Sequence, residues 1–268
     1  MIKKNGKNRI TGLFERLKGQ KKKGFIAFVT AGDPDIGTSK KIIKELERSG
    51  ADMIELGIPF SDPMADGPTI QASYERAVKG GVHLTDVLKL VSEVRKESQV
   101  PLVLFGYYNP IFNYGLKKFA KDAATAGADG VLIVDLPPEE SDELKSELDK
   151  NGVDLIFLLT PTSDEKRMRL VASKASGFIY FVSVTGVTGA RASVSADVHK
   201  YVKRVRKYTD LPLGVGFGIS TPQQAKEVCK SADAAVVGSA IVNVIARNKG
   251  PRLIKELGSF VSGIKRGI

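Results

Sequence analysis

The sequence contains few of the residues from which disulfides, metal sites and thiol nucleophiles are built. Its 268 residues include one cysteine, two histidines and no tryptophan. The lone Cys229 cannot form an internal disulfide, which favours a reducing compartment and a cytoplasmic location. Its place in a predicted helix makes it a core residue rather than a nucleophile. His83 and His199 lie far apart in predicted helices, so we expect no metal site.

Long apolar runs are also missing from the sequence. None approaches the roughly 20 residues that a membrane-spanning helix needs. Residues 1–6 lack the apolar stretch of a secretory signal. We therefore expect neither a membrane protein nor a secreted one.

The net charge of +11 is concentrated near the N-terminus. Residues 1–23 hold nine Lys and Arg against one acidic residue, Glu15, which leaves about +3 for the rest of the chain. No stacking-aromatic motif accompanies this basic leader, so it does not indicate nucleic-acid binding. A solvated basic helix explains it better.

From residue 25 onward, one pattern repeats: a short apolar run, a loop with Gly, Pro or Asp, and an amphipathic helix. The runs are continuously apolar rather than alternating, which is typical of parallel strands buried on both faces. The predicted strands are 25–30, 52–57, 101–106, 130–135, 154–159, 178–183, 212–217 and 234–238.

The helices predicted between these strands begin and end at ordinary signals. Thr221-Pro222 offers a cap followed by proline in the first turn, and Gly50, Gly127 and Gly152 follow helices where a left-handed residue is needed. The predicted helices are 36–49, 69–97, 115–126, 138–150, 164–175, 195–207, 221–230 and 251–263.

Eight strand–helix units in strict alternation favour a closed barrel over a doubly wound open sheet. An open sheet of this kind usually has five or six strands, and no G-x-G-x-x-G motif follows the first predicted strand. We predict an α/β fold, a TIM (β/α)8 barrel, in which a helix over 9–18 caps the lower end. Residues 1–268 are expected to form one domain, with 1–23 as a basic N-terminal extension.

In such barrels the functional groups lie at the C-terminal ends of the strands and in the loops that follow. The last three strand ends are rich in small residues, at 186–189, 216–219 and 238–239. Exposed N–H groups and helix N-termini at these ends favour a phosphate site. The alternative is that these glycines only permit tight turns.

The residue types in the predicted strands limit which reactions the chain can catalyse. No predicted strand holds a lysine, so a Schiff-base aldolase lacks its nucleophile. Glu55, inside an apolar strand, is costly unless it faces a polar site, and burial would raise its pKa toward neutrality. A structural glutamate with a buried partner is the alternative. Asp62 and Asp66 follow in a Pro- and Gly-rich loop, where aspartates also commonly form turns.

These segments resemble, in order, those of the tryptophan synthase alpha chain family. The motifs are FVTAGDP at 28–34, ELGIPFSDPMADGPTIQ at 55–71, GVTG at 186–189, GFGIS at 216–220 and GSAIV at 238–242. The resemblance covers nearly the whole chain from about residue 9, and the 17-residue run at 55–71 is the most specific motif.

The resemblance implies a lyase that cleaves indole-3-glycerol phosphate into indole and glyceraldehyde 3-phosphate by a retro-aldol step. It also implies an α₂β₂ heterotetramer in which indole passes to a beta chain. Pyridoxal phosphate is then expected only in that partner, with no cofactor in this chain.

The resemblance also assigns roles to individual residues. Glu55 corresponds to the acid/base at indole C3, Asp66 to the carboxylate at the indole N–H, and Tyr180 to a catalytic neighbour of the glycerol portion. The other corresponding positions are the phosphate cradle (Gly189, Gly218, Gly238, Ser239), the indole pocket (Phe28, Ile70, Phe105, Tyr107, Thr188) and the beta-chain interface (Asp62, Asn109, Asp135).

Phe105 stands where the family is expected to have leucine, which predicts a different pocket shape. Three other functions stay open on the sequence: a stand-alone lyase on the same barrel, a non-catalytic barrel that activates a beta chain, and a phosphosugar isomerase. The isomerase would share the phosphate site but not the run at 55–71.

Overall fold

The fold is a closed barrel of eight parallel strands, each hydrogen-bonded to its neighbours in chain order, with β8 pairing β1. The computed structural model describes residues 8–182, 191–216 and 218–268. The strands are β1 (Gly24–Thr30), β2 (Met53–Gly57), β3 (Leu102–Gly106), β4 (Gly130–Ile133), β5 (Asp154–Leu159), β6 (Ile179–Val182), β7 (Leu213–Gly216) and β8 (Ala234–Val237).

Helices surround the barrel and separate successive strands. They are α1 (Arg9–Gly19), α2 (Ile36–Arg48), α3 (Pro68–Lys79), α4 (Leu84–Arg95), α5 (Tyr108–Tyr114), α6 (Leu116–Ala126), α7 (Asp142–Asn151), α8 (Glu165–Lys174), α9 (Arg191–Val205), α10 (Pro222–Cys229), α11 (Ser239–Arg247) and α12 (Gly250–Lys265). A 3-10 turn over Pro138–Glu140 precedes α7. No helix within these ranges is long and apolar enough to cross a membrane.

The barrel prediction is confirmed, and all eight predicted strands are found within two residues of their expected ends. The single helix predicted over 69–97 is wrong. The chain leaves α3 at Gly80 and passes through Gly81, whose φ is +75°, before α4 begins. His83 caps α4, and its N–H donates to the Asp86 carboxylate at 2.9 Å. These local signals outweighed the continuous apolar pattern.

Two short helices, α5 and α11, were not predicted. Each begins two residues after a strand ends, α5 after β3 and α11 after β8. The predicted helix over 251–263 corresponds to α12, and the one over 195–207 begins earlier, at Arg191.

The predicted capping helix is confirmed as α1, which closes the lower end of the barrel. Its apolar face is formed by Ile10, Leu13, Phe14 and Leu17, all of them buried in one cluster with barrel residues. The Phe14 ring lies 6.0 Å from that of Phe178, the residue just before β6. The mouth at the opposite end is therefore the accessible entrance to the interior.

Candidate active site

Strand alternation decides which residues face the barrel interior at its upper end. In β2, Glu55 and Gly57 are two residues apart and share a face. Phe28 on β1 pairs in register with Glu55, and Gly57 pairs with Phe105 on β3. The upper interior thus combines one carboxyl group with two aromatic rings and a glycine.

Glu55 lies in a dry environment. It is 1% exposed, and its Oε1 atom has no hydrogen-bond partner within the described part of the chain. Burial raises the pKa of this carboxyl to about 8, because the charged form loses its hydration without gaining a partner. The alternative of a structural glutamate held by a buried partner finds no support in this geometry.

Asp66 is held at the mouth by Tyr107. The Tyr107 hydroxyl donates to Asp66 Oδ2 at 2.7 Å and accepts from the Ala65 N–H at 3.0 Å. Burial raises the pKa of Asp66, and the Tyr107 hydrogen bond opposes that rise by stabilising the carboxylate. This carboxylate is therefore oriented rather than free to turn with its loop.

Tyr180 projects from β6 into space left open by β7. A Cβ atom on Gly216 would collide with the Tyr180 hydroxyl, so the glycine makes room for the ring. The pKa of Tyr180 lies well above its ordinary value, first because of burial and then because of the nearby Glu55 and Asp66 carboxyls. The structure thus brings the three predicted catalytic side chains to one end of the barrel.

Aromatic and aliphatic side chains wall the space above Glu55. Phe28 and Phe105 meet edge to face with ring centroids 5.1 Å apart. Ile70 on α3 and Tyr107 belong to the same buried cluster. These are four of the five residues predicted for the indole pocket; the fifth, Thr188, lies outside the described residues.

The predicted phosphate residues follow two adjacent strands, β7 and β8. Gly218 is exposed in a left-handed conformation with φ +61°. Gly238 precedes α11, which has no side-chain cap, and Ser239 is the exposed first residue of that helix. The N-terminus of α11 therefore offers uncapped N–H groups to an anion. Gly189 lies outside the described residues.

The predicted interface residues lie around the same mouth, on its outer surface. Asp62 accepts from the Ser61 hydroxyl at 2.6 Å, and the Asp135 carboxylate accepts from the Tyr108 N–H at 2.7 Å. Asn109 is in α5 and accepts from Asn113 at 2.9 Å. None of these side chains points into the barrel cluster.

Tyr74 on α3 is a candidate that the sequence reasoning missed. Its side chain is fully buried in the interior cluster, and no partner for its hydroxyl is found among the residues that the structure covers. Its position four residues after Ile70 places both on one helix face. That spacing is the signal from which its inward direction could have been inferred.

Other reactive groups lie away from this mouth. Lys18, Lys21, Lys22 and Lys23 line a cleft of about 820 Å³ at the lower end, beside α1. Burial raises the pKa of the Cys229 thiol to about 11, as expected of a core cysteine. In the described ranges no three His, Cys, Asp or Glu side chains are grouped as a metal site would require.

The raised pKa of Glu55 predicts how stability varies with pH. The folded chain holds this proton up to about pH 8, whereas the ordinary value is 4.5, so the free energy of unfolding falls as pH rises between these values. Glu55→Gln has no proton to lose and lacks this fall. Relative to the wild type, the variant should gain on the order of 2–4 kcal/mol between about pH 5 and pH 8.5.

Urea unfolding across this pH range measures the difference. Glu75→Gln is the matched control, because Glu75 is an exposed carboxylate on α3 paired with Lys79. The Glu75→Gln variant should show no gain in the free energy of unfolding over the wild type at high pH. Parallel profiles for Glu55→Gln and the wild type would mean that Glu55 is already ionised in the folded chain.

Comparison with known proteins shows which family the chain is similar to. The family model for the tryptophan synthase alpha chain matches residues 14–261. Curated tryptophan synthase alpha chains from Geobacter sp. (strain M21) and Citrifermentans bemidjiense are 57% and 58% identical to this chain over 261 residues. In both cases the match covers 97% of this chain and 98% of the relative.

Solved structures agree with the sequence comparison. Tryptophan synthase subunit alpha from Legionella pneumophila superposes with a TM-score of 0.90 at 40% identity, covering 98% of each chain. A chain of tryptophan synthase from M. tuberculosis gives 0.88 at 31% identity, covering 97% of this chain and 99% of that one. The family model and these relatives show that the chain belongs to the tryptophan synthase alpha chain family.

Proposed function

We propose that this chain cleaves indole-3-glycerol phosphate at the upper mouth of the barrel, with Glu55 and Asp66 as its acid/base pair. Its family supplies a carbon–carbon lyase to tryptophan biosynthesis, and the reaction releases indole and glyceraldehyde 3-phosphate. The observation that carries the assignment is the contrast between the two carboxyls. One lies dry and without a partner at Oε1, and the other is held by a tyrosine.

The difference between the two carboxyls matches the two positions of the substrate at which protons matter, indole C3 and the indole N–H. The C–C bond breaks only when the indole ring becomes an electron sink, which requires a proton at C3. With a pKa of about 8, Glu55 is mainly protonated at neutral pH and donates that proton. The Asp66 carboxylate accepts a hydrogen bond from the indole N–H and stabilises the positive charge that the ring gains.

The protons then balance within the site. As the bond between C3 and the glycerol carbon breaks, its electron pair returns to the ring and restores indole. The glycerol hydroxyl on that carbon loses its proton and becomes the aldehyde. The Glu55 carboxylate takes up this proton and returns to its starting state, while Tyr180 orients the hydroxyl.

The substrate's phosphate is assigned to the closing strands. Gly218, Gly238 and Ser239 present backbone N–H groups at adjacent strand ends, and α11 begins there without a side-chain cap. Gly189 is proposed for the same cradle from its position in the sequence motif. Phe28, Ile70, Phe105, Tyr107 and Thr188 are proposed to enclose the indole ring.

Substitution of the two carboxyls tests the catalytic assignment. Glu55→Gln and Asp66→Asn are nearly isosteric, so we expect folding to persist while kcat for indole release falls by about 10²–10⁴-fold or more. Substrate affinity should change much less. Glu75→Gln, on the exposed face of α3, should retain wild-type rates, and wild-type rates in either site variant would remove that residue from the mechanism.

A beta-chain partner is the second part of the proposal. The similar structures include a tryptophan synthase complex from Pyrococcus furiosus, with a TM-score of 0.82 at 34% identity over 90% of this chain and 97% of that one. Around the mouth, Met64 is 89% exposed and Phe112 is 58% exposed, close in sequence to Asp62 and Asn109. Large exposed apolar side chains of this kind favour a protein partner.

We propose an α₂β₂ assembly in which Asp62, Asn109 and Asp135 contact the beta chain, which alone holds pyridoxal phosphate. Adding a beta chain should raise the rate of indole release at least tenfold and shift the gel-filtration profile. Phe112→Asp should weaken both effects and leave the rate of the isolated chain unchanged. An unaltered rate and profile on mixing would instead favour a stand-alone lyase.

A further inference from the structure

Two buried polar atoms for which the described residues offer no hydrogen-bond partner lie beside β2, at the upper end of the barrel. One is Oε1 of Glu55, and the other is the hydroxyl of Tyr74. A buried hydroxyl without a hydrogen bond costs free energy, and such groups in folded proteins generally have a use. The coincidence of an unused acceptor and an unused donor is the observation from which the inference starts.

Gly57 fixes the position of the Tyr74 ring. A Cβ atom at residue 57 would lie 2.9 Å from Tyr74 Cε1, 3.1 Å from the Tyr74 hydroxyl oxygen and 2.9 Å from Phe28 Cζ. The hydroxyl end of the tyrosine ring therefore packs against Gly57, on the inner face of β2. Glu55 projects from that same face, two residues earlier in the strand.

The other polar groups that face Glu55 have different engagements. Tyr107, after β3, donates its hydroxyl to Asp66. Tyr180, on β6, packs against Gly216 and is the residue proposed above to orient the glycerol hydroxyl of the substrate. Asp66 itself accepts from the Tyr107 hydroxyl. Tyr74, on α3, is fully buried, and its hydroxyl finds no hydrogen-bond partner within the described residues.

Proton transfer creates a need for such a donor. When Glu55 gives its proton to the indole ring, a carboxylate forms in a site that offers Oε1 no hydrogen bond, and an unpaired buried charge is unfavourable. An O–H donor that binds the carboxylate more tightly than the neutral acid stabilises the later stage of the step selectively.

We propose that Tyr74 is a positioning residue whose hydroxyl donates a hydrogen bond to the Glu55 carboxylate once Glu55 has released its proton. Tyr74 keeps its own proton throughout, so no atom or charge is transferred to or from it. The inference rests on the proposed acid/base function of Glu55 and adds a residue that works through it.

Tyr74→Phe removes the hydroxyl and keeps the ring against Gly57. Loss of one hydrogen bond to a charged group should lower kcat for indole release about tenfold, with KM within about twofold of wild type. Because the carboxylate loses its donor, the pKa of Glu55 should rise, and the alkaline limb of the kcat profile should move up by about one pH unit. A purely structural role would not move that limb.

The Tyr74 hydrogen bond can also be tested on the unfolding equilibrium, without measuring catalysis. In Tyr74→Phe the pH-dependent fall in the free energy of unfolding should extend about one pH unit higher than in the wild type. The same substitution made in the Glu55→Gln chain should cause no pH-dependent change, because the group on which Tyr74 acts is gone. Tyr208→Phe is the matched control, since Tyr208 lies against Arg169 at the outer surface.

Failure of the proposed reaction can be distinguished from failure of the proposed role of Tyr74. If the wild type releases no indole but Tyr74→Phe still shifts the unfolding profile only when Glu55 is present, the proposed reaction is wrong and the hydrogen bond stands. If the wild type is active and Tyr74→Phe leaves both the kcat limb and the unfolding profile unchanged, the inference is overturned.

Discussion

Burial of one carboxyl group, Glu55, against an apolar wall is the constraint around which the upper barrel is organised. The group is 1% exposed, and burial alone raises its pKa to about 8. An ionised carboxylate at this position would reduce stability, so Glu55 keeps its proton near neutral pH. The cost is a free energy of unfolding that falls as pH rises. Burial also raises the pKa of Asp66, in the loop after β2, but the hydrogen bond from Tyr107 opposes that rise and orients the carboxylate. Two residues of similar chemistry thereby acquire different tasks.

The rest of the barrel interior makes that site possible. Helix α1 covers the lower end and packs its apolar face into the interior cluster. Glycines are placed where large side chains need room: Gly57 accepts the rings of Phe28 and Tyr74, and Gly216 accepts Tyr180. Replacing either glycine by alanine would push an aromatic group out of place. Packing and chemistry thus depend on the same positions.

Much of this organisation could be predicted from the sequence, and the remainder fails for identifiable reasons. Continuous apolar strands predicted the barrel, and a glutamate inside one of them stood out because an apolar strand rarely contains a charge. The prediction of a single helix over 69–97 gave too much weight to the long apolar pattern and too little to the turn at Gly81. Tyr74 was missed because the direction of a helical side chain toward a barrel depends on how the helix packs. Propensity and spacing alone do not determine that packing.

Direct observation of the Glu55 proton tests the central claim. Infrared difference spectra between the wild type and Glu55→Gln, recorded from about pH 5 to pH 9.5, isolate the carbonyl stretch of a protonated carboxyl at residue 55. If the folded chain keeps Glu55 neutral, this band persists through neutral pH and disappears with a midpoint near 8. A band that is already lost near the ordinary glutamate value of 4.5 would contradict it.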